Sequence, residues 1–436
     1  MKKLLISLFA LVVASAVWAQ TTVTIASVNN PDMVTMQELS TQFEEQNPDI
    51  TLEWLFLDEG TLRSRLTTDV ATGSGSFDLV TVGAYETPLW AANDWLVSFD
   101  ALQEEYPDAA ADYNVDDILP AVKNFLSYED ELYAVPFYAE SSFTMYNQRL
   151  LEEAGQTMPE NPTWQEVRDI ACAVHDPDNG VYGIVLRGKP GWGDNMAPIT
   201  TVVNTFGGQW FNEEGQPQLD SPEWNEALTF YRDLVTECGA PGVTGISFPE
   251  SLQLMSASQA AIWVDATVAA GFLANSEAGP DMAYAVAPVG PVDKGNAWLW
   301  SWNLGIPSSS DAQEAAFKFM TWATSQEYID LVAAEKGEAS VPPGTRTSTY
   351  DDAYAEAASF APIVLNAIEN ADPTDATANP TIAPGVQFVQ IPEFQGIGND
   401  VAQIVAEILA GDTSVEDGLA RAQRVADEAM QDAGYY

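Results

Sequence analysis

"TTVTIASV", residues 21–28, alternates β-branched and apolar residues in the period of a strand. The residues after it decide the kind of sheet it enters. In "NNPDMVTMQELSTQFEEQNPDI" (29–50), Met33, Met36, Leu39 and Phe43 recur at helical spacing, and the closing "NPD" ends that helix. "ITLEWLFL" (50–57) reads as a strand, "TLRSRLTTDVATGS" (61–74) as a helix and "FDLVTVG" (77–83) as a third strand. Strand–helix–strand–helix–strand predicts a parallel sheet with helices on its faces. Its crossovers are right-handed, and ligands collect at the carboxyl ends of its strands.

The alternation continues. "ELYAVPFYAESSFTMYNQRLLEEAG" (131–155) is an extended apolar run through Pro136, then a strand, then a helix. Residues 163–186 again pair a helix with a strand, and helices are expected over 222–237 and 311–334. The C-terminal stretch reads as two amphipathic helices, with Thr413 and Glu416 at capping-box spacing before the second. At 436 residues the chain exceeds what one hydrophobic core usually supports, so two lobes are expected. No Ser- or Gly-rich linker separates them, which predicts several chain crossings.

Lys2 and Lys3 precede the apolar run "LLISLFALVVASAV" and the small-residue site "VWA". Residues 1–19 therefore read as a signal peptide, too short for a span of about 20 residues. The remainder is expected to be exported and periplasmic. Cys172 and Cys238, an even count in an oxidising compartment, are expected to form one disulfide, with two free buried thiols as the alternative. A net charge of −48 repels nucleic acid and anionic lipid.

Some chemistries are excluded. His175, the only histidine, lies in the turn-like "AVHDPDNG", so Ser-His-Asp, Cys-His and multi-His zinc sites cannot be assembled. No P-loop motif is present, and "DPDNG" lacks the rest of a calcium loop. No cofactor or metal is expected. A secreted carbohydrate-active hydrolase using a carboxylate pair stays open, because 64 acidic residues offer many pairs.

The order of pieces resembles the extracellular solute-binding proteins of ABC importers, in their carbohydrate-binding branch. That resemblance rests on the opening strand–helix–"NPDI"–strand, on "YAVPFYAESSFTMYNQRLLEEAG" and "PTWQEV", and on the paired-helix tail. "NNPDM", "AYETPLW", "LRGKPGWGDNM", "FGGQWF", "WVDATVAAG", "WLWSWNLGIP" and "VQFVQIPEFQGIG" together resemble the sorbitol/mannitol-type, polyol-binding subgroup. The resemblance implies a two-lobed α/β periplasmic binding protein fold, each lobe a mainly parallel sheet flanked by helices. It assigns 20–135 plus about 286–340 to one lobe, and 136–285 plus about 341–436 to the other. It also implies a monomer that closes on one polyol or small sugar and delivers it to a membrane permease.

A polyol presents hydroxyl edges and C–H faces, so its site needs bidentate polar groups and aromatic surfaces on loops at strand ends. Arg187 follows the strand "GVYGIVL" and is expected to be held by an acid, with donors left for the ligand. Gly188, Gly191 and Gly193 allow a tight turn and close backbone approach. Trp192 swings toward the ligand, or else packs over a surface turn; Asp194 shares that loop, and Lys189 is expected to be solvated. Tyr85 and Glu86 stand at a strand end, either facing ligand or as a packed ring and a helix-start acid. Trp263 and Asp265 share one face of a strand, either as platform and acceptor or as core and helix cap. Of Trp298, Trp300 and Trp302, at least one is expected in the core, with Trp300 and Trp302 chosen for the cleft. Asn30, Glu140, Gln390 and Phe394 complete the candidates, and Pro392 is expected to open a helix.

Overall fold

The computed structural model describes residues 20–436, so the expected signal peptide lies outside the described residues. Nine strands form two sheets. β1 (Thr21–Val28), β2 (Ile50–Leu57), β3 (Leu79–Gly83) and β4 (Val135–Glu140) are followed by β5 (Ser142–Asn147), β6 (Tyr182–Val185), β7 (Ala260–Ala266), β8 (Met282–Val286) and β9 (Trp300–Gly305). The first sheet runs β2-β1-β3-β9-β4 and the second β8-β5-β7-β6. A two-stranded ribbon, Ser127–Tyr128 with Glu131–Leu132, stands apart.

β1 lies parallel to β2 and β3, while β9 runs against both β3 and β4. In the second sheet β6 and β7 are parallel, while β5 runs against β7 and β8. Each sheet is thus mainly parallel with one reversed strand. The reversed strands are the two that the chain enters directly from the other sheet, β5 after β4 and β9 after β8. Such an entry needs no helical return, so the arriving strand need not match the others in direction. The first crossing falls at Ser141, and a break at 135/136 would cut β4. Residues 287–299 carry the chain back.

Helices flank both sheets. α1 (Pro31–Leu39), α2 (Glu59–Thr72) and α3 (Glu86–Ala91) accompany the first; α4 (Trp164–Val174), α5 (Met196–Thr205), α6 (Pro222–Glu237) and α7 (Phe248–Ser256) accompany the second. Among the described residues no helix is long and apolar enough to cross a membrane. α6 has the predicted bounds, set by the Ser221 cap and Pro222 in its first turn. Cys172, near the end of α4, is disulfide-bonded to Cys238, which caps α6.

Four expectations are corrected. The helix after β1 stops at Leu39, and a second, Thr41–Gln46, follows Ser40. Residues 311–334 hold two helices, Gln313–Ala323 and Gln326–Lys336, because the Ser325 side chain caps the second by accepting from the Tyr328 N–H. α8 (Phe394–Ala410) begins after Pro392, not at it. α9 (Val415–Asp432) is capped by Ser414, whose Oγ accepts from the Asp417 N–H at 3.1 Å, so the Thr413–Glu416 pair is not the cap.

Candidate functional site

Both sheets contribute walls to one cavity of about 180 Å³. That is more than ten times the ~10–15 Å³ that one water needs, so the space fits a larger molecule. From the first half come Asn30 after β1, Asp58, Glu59 and Arg63 at the start of α2, Tyr138 and Glu140 of β4, and Trp300 and Trp302 of β9. From the second come Arg187, Lys189, Trp192 and Asp194 after β6, Ser247 and Phe248 at the start of α7, and Ala266 and Val268 around the end of β7. Trp298 and Gln387 close the back. Strand-end loops meet here because parallel-type sheets direct their carboxyl ends to one edge.

Arg187 is held as the sequence predicts, by an acid, and the acid is Asp265. Arg187 Nε donates to Oδ2 at 2.7 Å, Nη2 donates to Oδ1, and Nη1 donates to the Gly193 carbonyl at 3.0 Å. Three of the five guanidinium N–H groups are thereby committed, leaving two. Asp265 also accepts from Trp263 Nε1 at 2.9 Å and from the Ala266 N–H at 2.6 Å. Its acceptor capacity is filled, and that explains why neither Asp265 nor the fully buried Trp263 lines the cavity. Asp265 lies within β7 and caps no helix.

Across the cavity stands a second buried arginine, Arg63, which sequence reasoning passes over. It donates from Nη2 to Glu59 at 2.8 Å and from Nη1 to buried Glu86. Its guanidinium faces the ring of Trp192 at 4.1 Å, with Trp302 at 4.9 Å and Trp300 at 5.0 Å. Three indoles therefore cage one cation, an attraction of electrostatic origin. Trp192 also meets Tyr85 and Phe394 edge-on, with centroids 5.0 and 5.9 Å away. The loop glycines do not need the left-handed backbone, since none of Gly188, Gly191 and Gly193 has positive φ. They serve close approach: a Cβ on Gly193 would collide with the Glu59 carboxylate.

The acids of the cavity are unequal. Asp194 accepts from the Ser247 hydroxyl at 2.9 Å, with Lys189 Nζ at 3.9 Å. Burial, then repulsion from Glu59, pushes it up to about 6. Glu140 is only 7% exposed, and burial holds its carboxyl well above the ordinary 4.5. The Asn30 amide is shared, its Oδ1 capping α1 at Met33 N and its Nδ2 donating to the Tyr138 hydroxyl, both at 3.0 Å. Among the described residues, Trp298 Nε1 and Gln387 Oε1 have no partner.

Of the sequence candidates, the cavity gathers Asn30, Glu140, Arg187, Trp192, Asp194, Trp300 and Trp302. Tyr85, Glu86, Gln390 and Phe394, like Trp263 and Asp265, do not reach it. Tyr85 is buried and donates to the Ile391 carbonyl at 2.7 Å. Glu86 opens α3 and is committed to Arg63. Phe394 packs behind Trp192, on Trp210 at 5.0 Å. Gln390 follows the segment that carries Phe388 against Trp192, outside the cavity lining. Trp298, expected in the core, is buried, yet it also lines the cavity. Lys189, expected in solvent, is 44% exposed at the cavity edge.

A two-lobed α/β chain with a cavity lined from both lobes has the form of a binding protein, and comparison places it. The chain belongs to the bacterial extracellular solute-binding protein family, whose model matches residues 27–329. It is 48% identical over 417 residues to a mannitol-binding protein of Pseudomonas aeruginosa, covering 95% of this chain and 94% of that one. Its fold matches a crystal structure of an ABC transporter solute-binding protein from Agrobacterium vitis with bound D-mannitol: TM-score 0.92, 46% identity, 95% of this chain and 99% of that one. A ribitol complex of an ABC transporter solute-binding protein from Agrobacterium radiobacter matches with TM-score 0.81 and 26% identity, over 94% and 99%. The family and these relatives are binding proteins, and nothing among them supports the hydrolase alternative.

Proposed function

We propose that this protein captures a polyol of the mannitol type between its two lobes and hands it to an ABC-type permease, breaking no bond. The observation that carries the reading is the cavity itself, indole-walled and lined by arginines whose charges carboxylates already neutralise. Indole faces suit C–H groups, and the two free N–H groups of Arg187, with Tyr138 and Glu140, suit hydroxyls. Asp58, Glu59 and Asp194 alone balance Arg63, Arg187 and Lys189 in the lining, so no cation is left over for an anionic ligand. The relatives whose names specify mannitol and ribitol support the same class. Cleavage of residues 1–19, action in the periplasm as a monomer, and lobes divided near 141 and between 286 and 300 belong to the proposal. Closure results from the ligand's better fit to the closed state.

The test is thermal melting and tryptophan emission with D-mannitol, ribitol, glucose and maltose. D-mannitol at a hundredfold excess over Kd should add about 2.7 kcal/mol of stability, raising Tm, and change the emission. A Tm unmoved by every one of these ligands would remove the assignment, and steady breakdown of maltose would favour an enzyme.

A further inference from the structure

We propose that Glu140 meets the ligand as a neutral carboxylic acid, donating a hydrogen bond to a ligand oxygen, so that closure takes up one proton from solvent. This deepens the polyol reading and rests on it. Glu140 ends β4, faces the cavity and is buried, yet among the described residues no hydrogen bond or ion pair reaches its carboxyl.

The charges around it explain why. Arg187 is the cation that opposes the neutral form, but its guanidinium is committed to Asp265 and the Gly193 carbonyl. Arg63 is committed to Glu59 and Glu86, and Lys189 lies half-exposed at the edge beside Asp194. Facing Glu140 from the other elements are further acids, Asp265 on β7, Glu59 on α2 and Asp32 on α1. Trp300 is its register partner on β9, and Tyr138 lies on its own strand. A carboxylate here would be desolvated, unpaired and among like charges, which is costly. A carboxyl group offers one O–H donor and retains an acceptor. A ligand hydroxyl offers the same pair, so the two fit reciprocally.

The linkage has a definite sign. Opening would admit water and relieve the burial; in the closed site burial first, with Arg187 opposing, holds the carboxyl well above the ordinary 4.5. The closed state therefore binds more protons. Affinity is greatest at low pH and falls as pH rises toward the closed-state value, by up to about tenfold per pH unit. Asp194, which lines the same cavity, is pushed up to about 6 and adds to the slope in the same direction. The part of the slope that Glu140→Gln removes reports Glu140.

Calorimetric titration of D-mannitol into the full chain in steps from about pH 5 to about pH 9, in buffers of different ionisation enthalpy, tests this. The expected result is a Kd that weakens as pH rises within this range, with protons taken up on binding. Glu140→Gln, which keeps a donor and an acceptor, should flatten the slope and bind at least tenfold tighter at pH 7 than Glu140→Ala. A wild-type Kd that is flat from about pH 5 to about pH 9 with no proton uptake overturns the proposal, as does a slope unchanged in Glu140→Gln. Absence of any D-mannitol binding by wild type at every pH overturns the polyol reading, and this proposal with it.

Discussion

The two arginines of the cleft are tethered in opposite ways. Arg187 has every partner in its own half: Asp265 on β7, the Gly193 carbonyl in its own loop, and the Tyr231 hydroxyl on its backbone oxygen at 2.7 Å. Arg63 is fixed by Glu59 and Glu86 of the first half, but its flat face is covered by Trp192 of the second. One cation is therefore oriented before the halves meet, while the cage around the other is completed by their meeting. A binding site made this way separates preorganisation from closure, and each can be broken alone.

The largest effect is expected from Asp265→Ala. It leaves the Arg187 charge buried without its counter-ion and the Trp263 N–H without its acceptor. Breaking a buried pair from one side costs about 3–5 kcal/mol, to be read as a lower urea midpoint in the ligand-free protein. D-mannitol affinity should fall with it, because the guanidinium loses its aim. A midpoint within about 1 kcal/mol of wild type would mean that Arg187 is not preorganised by this pair, and the contrast between the arginines would collapse.

How far the sequence reveals this contrast depends on where partners lie along the chain. Arg187 is legible because it follows a strand and precedes small residues, so its position alone assigns it to a strand-end loop. Its partner is not, since Asp265 lies 78 residues away and only the β6–β7 pairing makes them neighbours. Arg63 escapes notice because α2 reads as an ordinary amphipathic helix. The available signal is a cation on the buried face beside Leu62 and Leu66, four residues after Glu59. Tyr85, Glu86 and Asp265 bear suitable chemistry, but internal partners take it up, one of them 306 residues distant. Local pattern thus reveals which residues stand at strand ends, but not which are already satisfied.

Trp192→Phe tests the closure side. The smaller ring keeps the edge contacts with Tyr85 and Phe394 but weakens the face presented to Arg63. A cation–π contact of about 0.5–2 kcal/mol corresponds to about a 2- to 30-fold weaker Kd for D-mannitol. The urea midpoint of the ligand-free protein should move less than in Asp265→Ala. Were stability to fall as far as in that variant with Kd untouched, Trp192 would be core of the second half and no part of closure.

Lys189→Ala should do least. Lys189 occupies the same loop as Arg187 and borders the same cavity, yet its side chain is 44% exposed and its ammonium stands 3.9 Å from Asp194. A half-exposed lysine at that range is hydrated and flexible, so its removal should cost within about 0.5 kcal/mol of stability. Its absence also leaves Asp194 with one neighbouring cation fewer, a small upward push on a carboxyl already raised by burial. The expected change in D-mannitol Kd near pH 8, where Asp194 is ionised in either protein, is less than about threefold. A tenfold loss there would show that the edge cation grips the ligand directly, placing a third charged fork beside the two arginines and ending the division of labour between them.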